Sequence, residues 1–129
     1  MRKVFDASAV LAFLYNQPGS EKVRPDLPLG VMSAVNAAEA LTVLLRNGVS
    51  PSDGCLALAK TGLTILDFSW EQAIKAAELV SPQFRSRGIS LGDRACMAVA
   101  VAEKLPAVTA DRRWSGLSAP GLRIELIRG

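Results

Sequence analysis

Short apolar runs alternate with helix-patterned segments along most of this chain, and that order most constrains what it can fold into. Residues 3–5 read as a strand that stops at Asp6, and residues 8–16 as a helix broken by Gln17-Pro18-Gly19-Ser20. A second strand is expected at 29–32, followed by a helix over about 34–46 with Ser33 as its cap and Asn47-Gly48 as its stop. Ser50-Pro51-Ser52-Asp53 marks another helix start, and that helix ends near Gly62. Residues 63–67 read as a strand. A Ser69/Gln72 capping-box pattern then opens a helix, with Trp70, Ala73, Ile74, Ala77, Val80 and Phe84 spaced to bury one face. Ser90 starts a helix over about 91–104 whose ACMAVAVA stretch is apolar nearly all round, the pattern of a deeply buried helix. Strands at 107–109 and 122–127 complete the series. Strands alternating with helices imply an α/β domain, a three-layer sandwich around a mostly parallel sheet, spanning residues 1–129 as one unit.

Sites in such sheets form beyond the carboxyl ends of the strands. Asp6 and Asp111 follow short apolar strands, and Glu39 and Asp93 fall in early turns of helices that face the same edge. All four sit in or beside apolar runs. A lone buried carboxylate neutralises or finds a partner. Two unit charges about 4 Å apart repel by roughly 4 kcal/mol at an effective dielectric of 20. Four gathered acids therefore call for a shared partner, most simply a divalent cation.

The rest of the composition narrows the chemistry. The 129 residues contain no histidine, which excludes Ser-His-Asp triads, Cys-His pairs and paired-histidine ribonuclease mechanisms. Neither a phosphate-binding GxxxxGK[ST] loop nor GxGxxG occurs. Oxygen-ligand chemistry remains, suited to Mg²⁺ or Mn²⁺. Setting four negative charges apart from a net +3 leaves +7 on the remainder, an acidic pocket in a basic surface that suits a phosphodiester. Cys55 and Cys96 lack metal-site spacing and read as small buried residues of a reducing compartment. Asp6 interrupts the apolar start, and no apolar run approaches the roughly 20 residues of a membrane span, so a cytoplasmic protein is expected.

Each acid also has an ordinary structural reading. Asp6 suits a helix cap, Glu39 a solvated helix position, Asp93 a capping box with Ser90, and Asp111 a turn. Ser8, Asn36 and Thr109 are placed to support the acids; the alternatives are a cap, a helix-start residue and a strand residue. Arg94, Arg112 and Arg113 flank two of the acids as candidate phosphate contacts, or else as solvated cations. Trp114 suits a packing anchor better than a base-stacking platform.

The segments VFDASA, VNAAE, SLGDRACMAVA and TADRRW, in this order and spacing, resemble those of PIN-domain nucleases, specifically VapC-type toxins of bacterial toxin–antitoxin pairs. The resemblance covers nearly the whole chain. It implies an α/β/α fold and a metal-dependent endoribonuclease, commonly a homodimer, blocked by a cognate antitoxin. It matches Asp6, Glu39, Asp93 and Asp111 to the family's four acidic metal positions, with Ser8 and Thr109 at its hydroxyl positions. Mg²⁺ or Mn²⁺ would then activate a water against an RNA phosphate. Many relatives carry a further acid near the last motif, where this chain has Arg112 and Arg113. A housekeeping PIN nuclease and a catalytically silent RNA- or protein-binding PIN module are the alternatives. Receiver-type and haloacid-dehalogenase-like readings fit poorly: each needs a second acid near Asp6, and Asp6-Ala7-Ser8 supplies none.

Overall fold

The structure, a computed structural model, describes residues 2–129. Five strands form one parallel sheet: β1 (Val4–Phe5), β2 (Val31–Ser33), β3 (Thr64–Leu66), β4 (Ala107–Thr109) and β5 (Ile124–Leu126), in the order β3-β2-β1-β4-β5. The helices are α1 (Ala7–Leu14), α2 (Ser20–Val23), α3 (Ala34–Arg46), α4 (Pro51–Lys60), α5 (Trp70–Glu78), α6 (Pro82–Ser86) and α7 (Leu91–Glu103), with 3₁₀ turns at Arg24–Leu29 and Arg112–Trp114.

Strand alternation divides the core in two. Val4 pairs with Val31 and Ala107, and all three point into a cluster with α7, Ala76 and Leu79 around α5, and Phe84 and Trp114. Phe5, Met32 and Val108 point the other way, against α1, α3 and Leu58 of α4. The result is the expected α/β/α sandwich. Ala95 to Ala100 of α7 are all fully buried, as the all-round apolar pattern predicts. Burying side chains such as Met97 or Val99 contributes about 1.5–3 kcal/mol each. Trp114 is a buried anchor and Cys96 is buried, whereas Cys55 is exposed on α4, against expectation.

Local chemistry sets the helix starts. α3 to α7 each begin at a serine (33, 50, 69, 81 and 90) whose hydroxyl accepts an early backbone N–H. Such caps are worth about 1 kcal/mol apiece. The Ser90 box closes reciprocally through Asp93; at Ser69 only the serine half forms, and the buried Oε1 of Gln72 has no partner.

The α5 expectation fails in a second way. The stripe from Trp70 to Phe84 is not one buried face: the helix ends at Glu78, Phe84 belongs to α6, and Trp70 is 78% exposed. Ala76 and Leu79 face the core instead. The small Ala76 allows close packing against the alanine-rich α7, and that packing outweighs the burial offered by larger residues on the neighbouring side.

Candidate functional site

Parallel pairing brings the carboxyl ends of β1 and β4 side by side, and Asp6 emerges there. Its backbone N–H still donates to the Val108 carbonyl at 3.1 Å, while its side chain caps α1. One carboxylate oxygen accepts from the Ala9 N–H at 2.9 Å and the Ser8 hydroxyl at 2.7 Å; the other accepts from the Thr109 hydroxyl at 2.6 Å. Ser8 Oγ in turn accepts from the Ala110 N–H at 2.9 Å, and Thr109 Oγ1 from the Asp111 N–H at 3.0 Å. The hydroxyls of Ser8 and Thr109 thus lock the start of α1 to the end of β4. Asp6 is only 4% exposed. Burial pushes its pKa up to about 6; the hydroxyl and amide donors pull against that shift, and the charge of Asp93 adds to it.

Glu39 comes from the second turn of α3. Its Oε1 accepts from Asn36 Nδ2 at 2.8 Å, and the same amide donates to the Gly92 carbonyl at 3.0 Å, tying α3 to the start of α7. A Cβ on Gly92 would stand 2.4 Å from Glu39 Oε2, so glycine leaves the room this carboxylate occupies. Asp93 is held from below: its Oδ2 accepts from the Ser90 N–H at 2.9 Å. Asp111 caps the turn at Arg112–Trp114.

These four acids, with Asn36 and Ser8, line one cleft of about 260 Å³. Their settings differ more than the sequence implies: Asp6 is buried, Asp93 and Asp111 are half-buried, and Glu39 is exposed. A larger cleft of about 450 Å³ lies between α1 and α4 but carries one carboxylate, Asp53. The negative field also reaches beneath the site. The Cys96 thiol is held well above its usual range, first by burial and then by the charges of Asp6, Asp93 and Glu39.

The three flanking arginines are placed differently from one another. Arg113 turns back onto the acids: Nε donates to both oxygens of Asp111 at 3.1 and 3.0 Å, Nη2 to Asp111 Oδ2 at 2.5 Å, and Nη2 lies 3.5 Å from Asp93 Oδ2. Nη1 donates to the Gly88 carbonyl at 2.8 Å. Much of its fork is therefore engaged within the chain. This guanidinium is the main cause of the lowered pKa of Asp111. Arg94 points away from the cleft, donating to the Ala76 carbonyl at 2.8 Å. Arg112 is exposed beside Asp111. Sequence reasoning missed the part of Gly92, whose signal is its place one residue before Asp93 on a helix packed against Glu39.

The donor set suits a hard cation. Every acidic ligand candidate offers oxygen, and the buried Asn36 Oδ1, also at this cleft, has no hydrogen-bond partner. Among the described residues, no three acidic or thiol groups stand close enough to form a ready-made metal cage. Mg²⁺ tolerates this, because it keeps several waters and takes one or two carboxylates.

Comparisons with solved structures show what this fold is similar to. VapBC2 of Rickettsia felis, solved bound to a DNA fragment from its promoter, superposes with a TM-score of 0.72 at 19% identity, covering 98% of each chain. VapC20 of Mycobacterium tuberculosis, described as a sarcin-ricin-loop-cleaving toxin, gives 0.71 at 17% identity over 95% of this chain and 99% of its own. A toxin–antitoxin complex from Klebsiella pneumoniae gives 0.70 at 16% identity, over 93% and 94%. No curated protein matches the chain in sequence at a significant level. The family model described as PIN domain matches residues 3–119. With nine-tenths of its length under that match and the family's sandwich around its acidic cleft, this chain belongs to the PIN-domain family.

Proposed function

We propose that this protein is a metal-dependent endoribonuclease, the toxin of a VapC-type toxin–antitoxin pair. The supporting observation is the convergence of Asp6, Glu39, Asp93 and Asp111, from four separate segments, on one cleft at the carboxyl edge of the sheet. Asp6, Asp93 and Glu39 would hold Mg²⁺ or Mn²⁺, one or two of them directly and the rest through the ion's waters, with Asp111 completing the set directly or through water. A cation there supplies an oriented, acidified water and charge stabilisation on a phosphoryl oxygen. The protein's own groups do the positioning. Ser8, Thr109 and the Ala9 amide fix both oxygens of Asp6, and Asn36 fixes Glu39. The buried Asp6 would be held in its ionised form by the cation's field, which offsets the desolvation that raises its pKa to about 6. Arg112, exposed beside the site, is the remaining candidate for a phosphate contact.

The test is cleavage of a structured RNA. Cleavage should require Mg²⁺ or Mn²⁺, stop with a chelator and vanish in Asp6→Asn; equal cleavage by that variant would overturn the assignment. Metal should also raise thermal stability, by about 2.7 kcal/mol at a hundredfold excess over Kd. The toxin role and the homodimer rest on family likeness, and the cytoplasmic setting on an apolar start that Asp6 interrupts. A small neighbouring gene encoding a DNA-binding antitoxin, whose product forms a complex with this chain and blocks cleavage, separates a toxin from a housekeeping PIN nuclease.

A further inference from the structure

A second cleft, about 330 Å³, adjoins the acidic one and shares Ser8, Leu11 and Val43 with it. Helical spacing explains the continuity. On α1 and its cap, positions 8, 11 and 15 share a face, and on α3 and its cap so do 36, 39, 43 and 47. The two stripes therefore wall a single groove, running from the carboxylates at the helix starts to Tyr15 and Asn47 at the helix ends. From Asn36 to Asn47 that is about 17 Å along the axis.

The chemistry of the lining changes along the groove. The first part holds four carboxylates; the second has no acid and one cation, Arg128. Tyr15 is 40% exposed, yet its ring is steadied by a 2.9 Å bond from Asn47 Nδ2 to its hydroxyl. Arg128 is anchored by one nitrogen, which donates to the Pro18 carbonyl at 3.1 Å, and its other donors remain available. Gln17 adds an amide. A steadied aromatic face, amides and a guanidinium beside a phosphodiester-directed acidic site form the set that binds an unpaired nucleotide: stacking for the base, amides for its edge, cation for its phosphate.

We infer that this groove is a substrate subsite, in which Tyr15 stacks on the base of a single-stranded RNA nucleotide neighbouring the scissile phosphate and Arg128 pairs with its phosphate. The inference rests on the nuclease reading above, so its test avoids cleavage. Binding of a fluorescently labelled, mixed-sequence single-stranded oligoribonucleotide to the full chain is read by anisotropy in EDTA. Tyr15→Ala should weaken binding about tenfold, whereas Tyr15→Phe, which keeps the ring and loses the Asn47 bond, should bind within about twofold of wild type. Arg128→Ala should flatten the dependence of log Kd on log salt by about 0.7, the signature of one lost phosphate contact. Melting curves check that each variant is folded. Wild-type affinity in Tyr15→Ala together with an unchanged salt slope in Arg128→Ala would overturn the subsite, as would absence of RNA binding by the wild-type chain. Equal loss in Tyr15→Phe and Tyr15→Ala would also overturn it, by assigning the effect to the helix-end hydrogen bond. The nuclease reading fails separately, through metal-dependent cleavage that survives Asp6→Asn.

Discussion

Asp6 and Asp111 line the same cleft and are held in opposite ways. Asp6 is buried among neutral donors, two hydroxyls and an amide, and its pKa rises to about 6. Asp111 is half-buried against a guanidinium, and its pKa falls. One corner thus lacks a counter-charge and the other brings its own. The lesson is that hydrogen bonds alone do not hold a buried carboxylate at its ordinary pKa; desolvation outweighs three neutral donors here, whereas one bidentate cation outweighs partial burial.

The largest effect should come from the uncompensated corner. Asp6→Asn preserves shape, and its amide can still bond Thr109. It should nevertheless cut RNA cleavage by about a thousandfold, in keeping with the several kcal/mol that a bound cation contributes. Steady-state rates at saturating Mg²⁺ measure this.

Next comes stability against pH in a chelator. Because the folded pKa of Asp6 is raised, its contribution is fully present below the ordinary carboxylate value. It is lost as pH rises through about 6. The loss amounts to about 3 kcal/mol by pH 7.5. Urea melts of wild type against Asp6→Asn between pH 4 and 7.5 should diverge over that window, and Mg²⁺ should recover the loss at the high end. The Asp111 corner carries the reverse sign. Its lowered pKa favours the fold above the ordinary carboxylate value, and that contribution fades only as pH falls through the lowered one.

Gly92→Ala probes the groups between the corners. In the first turn of α7 an alanine loses less chain entropy on folding than glycine does, yet its Cβ would displace the Glu39 carboxylate. Cleavage should fall by about 10–100-fold with little change in melting temperature. A fully active Gly92→Ala protein would show that Glu39 need not sit where it does.

The smallest effect belongs to the compensated corner. Arg113 is half-exposed, so Arg113→Ala should change stability by less than about 1 kcal/mol. Removing its charge should tighten Mn²⁺ binding by about three- to tenfold, read by calorimetry. Unchanged affinity would mean that the guanidinium and the cation do not compete.

Much of this was legible from residues alone. The short strands, serine caps, all-round apolar α7 and four acids at one edge follow from periodicity, capping chemistry and the rule for parallel sheets. Ser8 and Thr109 were placed by their spacing from Asp6 and Asp111 in the chain. Three features were not legible. The apolar arc of α5 is wide, with Ala76 at one edge and Trp70 and Ile74 toward the other, so its orientation was set by how closely Ala76 packs against α7. Arg113 lies beside both an acid and solvent, and sequence cannot tell which it faces. Gly92 matters only because α3 and α7, far apart in the chain, bring Glu39 onto it.

Sequence by itself determined the sandwich, the acids and the absence of imidazole chemistry, because these depend on local pattern and composition. Only the tertiary structure decided which carboxylate lacks a counter-charge, which arginine is already committed, and that the acidic cleft continues toward Tyr15 and Arg128. Those outcomes depend on distances between residues up to about a hundred positions apart, and on how much water each charge retains.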